Sequence, residues 1–140
     1  MARALEVVGE RWSLLIVRDA FLGLSRFDEF QRSLGVASNV LTARLERLSL
    51  AGIFERRRYQ ERPERFEYTL TTKGRDLYPL IAALMQWGDR YISPVPPRLA
   101  SHRADGGRVQ VHVTCDACGA EVSRNEIESQ VNPALEPPPA

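Results

Sequence analysis

Apolar positions along the first fifty residues recur at helical spacing. In ALEVVGERWSLLIVRDAFLG, Leu5, Val8, Trp12, Leu15, Ile16 and Ala20 repeat at close to 3.6 residues, with Leu14 and Val17 less regular. Such a stripe is one face of an amphipathic helix. Gly9 lies inside the pattern, where it costs about 1 kcal/mol relative to alanine. The pattern therefore predicts a break at Gly9 and a main helix from about Arg11 to Leu22, closed by Gly23. In SRFDEFQRSLG, Phe27, Phe30 and Leu34 share a second face. Ser25 is the expected cap, with Asp28 in a capping-box-like position, and Gly35 ends the helix. Ser38 opens a third. Val40, Leu41, Leu45 and Leu48 point inward, Asn39, Thr42, Ala43, Glu46 and Arg47 outward, and Gly52 stops it.

Two short helices joined by Gly-Val-Ala form a helix-turn-helix signature, which alone is weak because many bundles contain such a corner. After Gly52 the period changes to two. IFERRRYQ and RFEYTLT alternate, with β-formers Ile53, Tyr59, Phe66, Tyr68 and Leu70. The ERPE loop between them contains Pro63, which excludes a continuous helix. Arg56, Arg57, Arg58, Arg62 and Arg65 fall within this hairpin. Helix, helix, hairpin is the order of a winged helix-turn-helix. The next segment, 71–92, reads as a long helix capped by Thr71 or Thr72. Its apolar stripe is Leu77, Leu80, Ile81, Leu84, Met85, Trp87 and Ile92, and Pro79 kinks it or delays its start.

The expected organisation is a mainly α, α+β domain over 1–92, a proline-rich linker over 93–98, a small ribbon-like appendage over 99–131 and a disordered tail over 132–140. Within the appendage, 108–114 alternates as a strand, Cys115–Gly119 is a turn and 124–131 is a short helix. No apolar run approaches the ~18–20 residues that span a membrane, and Glu6 and Glu10 are out of place in a signal peptide. A cytoplasmic protein is expected.

The formal net charge of +1 announces no polyanion by itself. Its distribution says more. Residues 1–92 hold 15 Lys+Arg against 12 Asp+Glu, a balance of +3, and residues 93–140 hold 4 against 6, a balance of −2. Only Lys73 among the 19 basic residues is lysine. Arginine suits bidentate contact with phosphate and guanine, although a GC-rich genome also favours it. There is no nucleophile elbow, phosphate-cradling loop or His-Glu-x-x-His, so an enzyme is not expected.

The segments ALEVVGERWSLLIVRDAFLGLSRFDEFQRSLG, LTARLERL and AGIFERRRYQERPERFEYTLTTKGRDLYPLIAALMQWGDRY closely resemble the HxlR-type, MarR-like family of winged helix-turn-helix transcriptional regulators. Gly-x-x-Trp, Arg-Phe-x-x-Phe and the closing Trp-Gly are its specific elements, and about residues 3–92 are covered. The resemblance implies a homodimer on a palindromic operator in double-stranded DNA, paired through the N-terminal helix and the long helix after the wing. Leu5, Trp12, Leu84, Trp87 and Tyr91 are the expected interface. Family members usually carry a lead-in with a redox-sensing cysteine. This sequence opens at Met1-Ala2-Arg3, so sensing through that cysteine is not expected, and a small-molecule or redox effector is left unassigned.

For the major groove the candidates are Asn39 and Thr42, near the start of the Ser38–Arg47 helix, where base edges are usually read. Ser38 is either a helix cap or a phosphate neighbour. Arg44, Arg47 and Arg26 are phosphate candidates. Arg62 and Arg65 at the wing tip, with Arg58 behind them, suit a minor groove and its flanking phosphates. Arg56 to Arg58 alternate along a strand and cannot all face DNA.

Cys115 and Cys118 are three apart, a spacing that suggests metal or redox chemistry. Three readings of the appendage stay open: a structural zinc held by Cys115, Cys118 and His102 with Asp105 or water, a metal-free turn, and a reversible dithiol. No cofactor is certain. The rival function is a winged helix used for protein contacts, with the zinc-ribbon remnant as a docking surface. An arginine-rich wing fits that reading less well than an apolar one.

Overall fold

The computed structural model describes residues 1–93, 95–130 and 132. It contains two compact units, Met1–Arg98 and Leu99–Ala140. In the first the order is α1 (Ala2–Val8), α2 (Arg11–Phe21), α3 (Phe27–Leu34), α4 (Ser38–Leu50), β1 (Phe54–Gln60), β2 (Arg65–Leu70), α5 (Thr72–Arg75) and α6 (Tyr78–Tyr91). β1 and β2 pair antiparallel with Phe54 opposite Leu70 and Arg57 opposite Glu67. This is a winged helix-turn-helix.

The helix breaks follow from local chemistry. Gly9 ends α1, where a Cβ would stand 2.5 Å from the Leu5 carbonyl oxygen. Gly23 and Gly35 close α2 and α3 at φ of 95° and 60°, values that glycine adopts without steric cost. The start of α3 differs from expectation. Arg26, not Ser25, is the N-cap residue, and the reaching-back carboxylate is Glu29, not Asp28. Glu29 Oε2 accepts the backbone N–H groups of Ser25 and Arg26, both at 2.9 Å. The third residue of the helix faces the cap, and Glu29 holds that place when the helix begins at Phe27. Ser38 is the first residue of α4, with Ala37 as its cap. The single long helix expected over 71–92 is two. Thr71 caps α5 by accepting the Gly74 N–H at 3.1 Å. Pro79 then sits in the first turn of α6, where its missing N–H loses no helical acceptor.

One core joins these elements. Ile16 and Val17 of α2, Phe30 of α3 and Leu41, Leu45 and Leu48 of α4 are fully buried, and Ile53, Phe54 and Tyr68 around the wing are buried. Trp12 and Met85 are partly buried against this core. Tyr68 N–H donates to the Ser25 carbonyl at 2.7 Å, which ties the wing to the strand-like approach to α3.

The second unit is described by itself. The strand expected over 108–114 is absent. In its place are two isolated antiparallel bridges, Ser101 with Arg108 and Thr114 with Glu121. Of the short helix expected over 124–131, the described residues 124–130 form one 3-10 turn, Arg124–Glu126, and Val131 lies outside the described residues. The tail expected over 132–140 lies, apart from Asn132, outside the described residues.

The paired N–H donors hold the Glu29 carboxyl below its ordinary range, Ser25 contributing most and Arg26 next. A lowered folded-state pKa gives stability that is present above the unfolded value and lost as pH falls through the folded one. Glu29→Gln is expected to lower the unfolding free energy by ~1 kcal/mol at neutral pH. Denaturation series should show that gap closing below about pH 4.

Candidate nucleic-acid interface

The outer face of α4 is set by its inner one. With Leu41, Leu45 and Leu48 inside, Asn39, Thr42, Ala43 and Glu46 lie on the exposed side. Asn39 and Thr42 make no side-chain hydrogen bond among the described residues, so their donors and acceptors are open. Ser38 Oγ instead accepts from Gln31 Nε2 at 2.6 Å. That bond pins α4 to α3 across the Gly35–Ala37 turn and leaves Ser38 a corner brace.

The arginines sort into two groups. Arg44 and Arg47 both engage Glu10, the N-cap residue of α2. Arg47 Nη1 lies 3.2 Å from Glu10 Oε1, and its Nη2 donates to the Glu6 carbonyl at 2.7 Å. These two arginines fasten α4 to the α1–α2 junction. The Arg26 guanidinium stacks on the Tyr59 ring, 4.8 Å from its centroid. Arg56 lies 3.5 Å over the Phe66 ring. Arg58 pairs with Glu64 at 3.1 Å and stands 3.9 Å from Glu61. By contrast, Arg57, Arg62 and Arg65 are exposed and form no ion pair among the described residues. The parity along β1 is thereby resolved. Arg56 and Arg58 share the face of Phe66 and Tyr68, and Arg57 is the arginine turned to the other side.

Sequence reasoning missed Glu10 as the partner of two basic candidates and Arg57 as an open one. The signal for Glu10 was present: a carboxylate at a helix start, and two arginines three apart on one helix. Only tertiary packing joins them.

In the second unit His102 Nδ1 lies 3.1 Å from Asp105 Oδ1. His112 Nδ1 lies 2.5 Å from Glu121 Oε1. The thiols of Cys115 and Cys118 are free. The backbone N–H groups of Cys118 and Ala117 push the Cys115 pKa down. Among the described residues, no three His, Cys, Asp or Glu side chains converge as they stand.

Residues 7–96 match the HxlR-like helix-turn-helix family. A Mycobacterium tuberculosis protein named as an HTH-type transcriptional regulator is 42% identical over 137 residues, covering 96% of this chain and 87% of its own. A solved structure of a candidate transcription factor is 40% identical with a TM-score of 0.81, covering 94% of this chain and 93% of that one. Another, from Pseudomonas aeruginosa, is 42% identical with a TM-score of 0.70, covering 96% and 93%.

Glu10→Ala releases two arginines from α4 at once. It is expected to cost ~1 kcal/mol of stability. A double-mutant cycle with Arg44→Ala should show coupling, because the second substitution finds the ion pair already broken. Additive losses would mean that the Glu10–Arg44 ion pair carries no energy.

Proposed function

The chain belongs to the HxlR-like helix-turn-helix family and is a transcriptional regulator rather than an enzyme, and on that premise we propose that it reads a palindromic operator as a homodimer. The carrying observation is the division of labour among its polar side chains. Among the described residues, Asn39 and Thr42 stand exposed and without a side-chain hydrogen bond at the start of α4, and Arg62 and Arg65 stand exposed and without an ion pair at the wing tip. In this reading α4 enters the major groove with Asn39 and Thr42 at base edges. The wing tip lays Arg62 and Arg65 on the adjacent minor groove or its phosphates, and Arg57 is a further phosphate ligand. Arg44, Arg47, Arg26 and Arg58 act mainly by holding α4 and the wing in place.

Uncovered apolar surface supports a dimer. Leu84, Trp87 and Tyr91 of α6 are 51%, 53% and 66% exposed, and Leu5 of α1 is 52% exposed. Trp87 and Tyr91 stack with ring centroids 5.8 Å apart. A run of large apolar residues on one helix is costly to leave in water, and a second copy covers it. Trp12, partly buried against the chain's own core, is the remaining interface candidate. A two-fold dimer doubles the grip on phosphate and presents two recognition helices to half-sites about 34–36 Å apart. A cytoplasmic location goes with this reading. Among the described residues, no helix is long and apolar enough to cross a membrane.

The test is binding to promoter fragments of the chain's own gene and its neighbours as salt is raised. Arg62→Ala with Arg65→Ala is expected to weaken binding to all sequences alike. It should lower the slope of log K against log salt by ~0.9 for each phosphate no longer neutralised. Arg47→Ala, already committed to Glu10, should change that slope less. Asn39→Ala should instead relax discrimination at particular base pairs, by ~1–3 kcal/mol each. The reverse pattern would overturn the assignment. Leu84→Asp with Trp87→Asp is expected to give a folded monomer by sedimentation. A dimer that persists would place the interface elsewhere.

A further inference from the structure

The Leu99–Ala140 unit contains a repeat that its sequence barely shows. His102 N–H donates to the Gly107 carbonyl at 2.8 Å, Gly106 N–H to His102 at 2.8 Å and Val109 N–H to Ala100 at 2.9 Å. Thirteen positions on, Cys115 N–H donates to Ala120 at 2.9 Å, Gly119 N–H to Cys115 at 2.8 Å and Val122 N–H to Val113 at 2.9 Å. The Ser101–Arg108 and Thr114–Glu121 bridges occupy the same place in each turn. Gly106 and Gly119 take φ of 74° and 71°. The two turns are thus one structure made twice. His102 matches Cys115, and Asp105 matches Cys118. Each turn presents a pair of metal-ligating side chains three apart, followed by a left-handed glycine.

Among its described residues the same unit lacks a core: none is buried, and only Ala100, Val111, Cys115 and Val122 are half-buried. A segment of about forty residues that buries so little apolar surface usually needs a disulfide, a metal or a partner chain. A Cys115–Cys118 disulfide closes only its own turn, and so short a loop contributes little. It would also leave the matched His102 and Asp105 without a role. His112 is already occupied by Glu121.

We propose that the two turns are half-sites for one tetrahedral divalent ion, zinc by its donor set, held by Cys115, Cys118, His102 and Asp105. Two thiolates, an imidazole and a carboxylate fill four positions with ligands that zinc accepts. The four side chains do not converge as they stand. Binding therefore draws the turns together, exchanges the His102–Asp105 pairing for the metal and releases the two thiol protons to solvent. With all four positions taken by protein there is no open place for substrate, so the ion is structural. Tying two turns that burial does not hold is its function.

The test uses the full chain, reduced and freed of metal with a chelator, and zinc salt alone as probe. One zinc per chain should be retained on dialysis, and limited proteolysis within residues 99–130 should slow. Cobalt(II) in its place should give the thiolate charge-transfer and visible bands of a tetrahedral ion. Cys115→Ser with Cys118→Ser should abolish uptake. His102→Ala and Asp105→Ala should each weaken it by ~tenfold or more. DNA retention at low salt, read in parallel, reports the integrity of the first unit in every variant. No zinc uptake by the reduced wild type overturns the proposal, whether or not air then yields a Cys115–Cys118 disulfide. Uptake unaltered by the His102 and Asp105 changes also overturns it, because the cysteines would then bind without the matching turn.

Discussion

Three leucines on one side of α4 decide what the rest of the first unit can do. Leu41, Leu45 and Leu48 have no exposed surface, and withdrawing each from water is worth roughly 1.5–3 kcal/mol. That burial fixes the rotation of the helix about its own axis. Turning it by one residue, about 100°, would lift a leucine into water and carry Asn39 and Thr42 inward. The polar face is therefore specified by the apolar one. Ile16, Val17 and Phe30 supply the opposing surface, and the Gln31–Ser38 bond fixes the corner.

Electrostatics then divides residues that composition makes look alike. Five arginines in ten positions suggest a uniformly cationic wing, yet Arg56 rests on Phe66 and Arg58 faces Glu64. On α4, Arg44 and Arg47 converge on Glu10 from positions one helical turn apart. A single carboxylate thus joins the helix that would read bases to the junction of α1 and α2. α1 also carries the exposed Leu5, so this one carboxylate links α4 to a helix that presents apolar surface to solvent.

The helices, their glycine stops and the hairpin were legible in the sequence because each rests on local rules: a 3.6 period, a left-handed glycine, alternation around Pro63. Boundaries failed where two local rules competed. Ser25 looks like a cap, but Glu29 at the third helical position makes the stronger case for Arg26. Thr72 to Ile92 looks continuous until Pro79 restarts the helix. The partners of the arginines were not legible, since Glu10 lies 34 and 37 positions from the residues it holds. The matched turns around Gly106 and Gly119 escaped notice for another reason. Their likeness is in the hydrogen bonds, and the side chains that fill equivalent places differ in kind.

The chain's two tryptophans occupy unequal surroundings. Trp12 is partly sheltered against the core with Arg11 4.8 Å over its ring, and Trp87 stands half in water on α6. A body that settles on the Leu84, Trp87 and Tyr91 side of α6 must dehydrate the Trp87 indole. The protein consequently carries a built-in optical reporter, whose emission shifts toward the blue as that helix is covered, without any label attached.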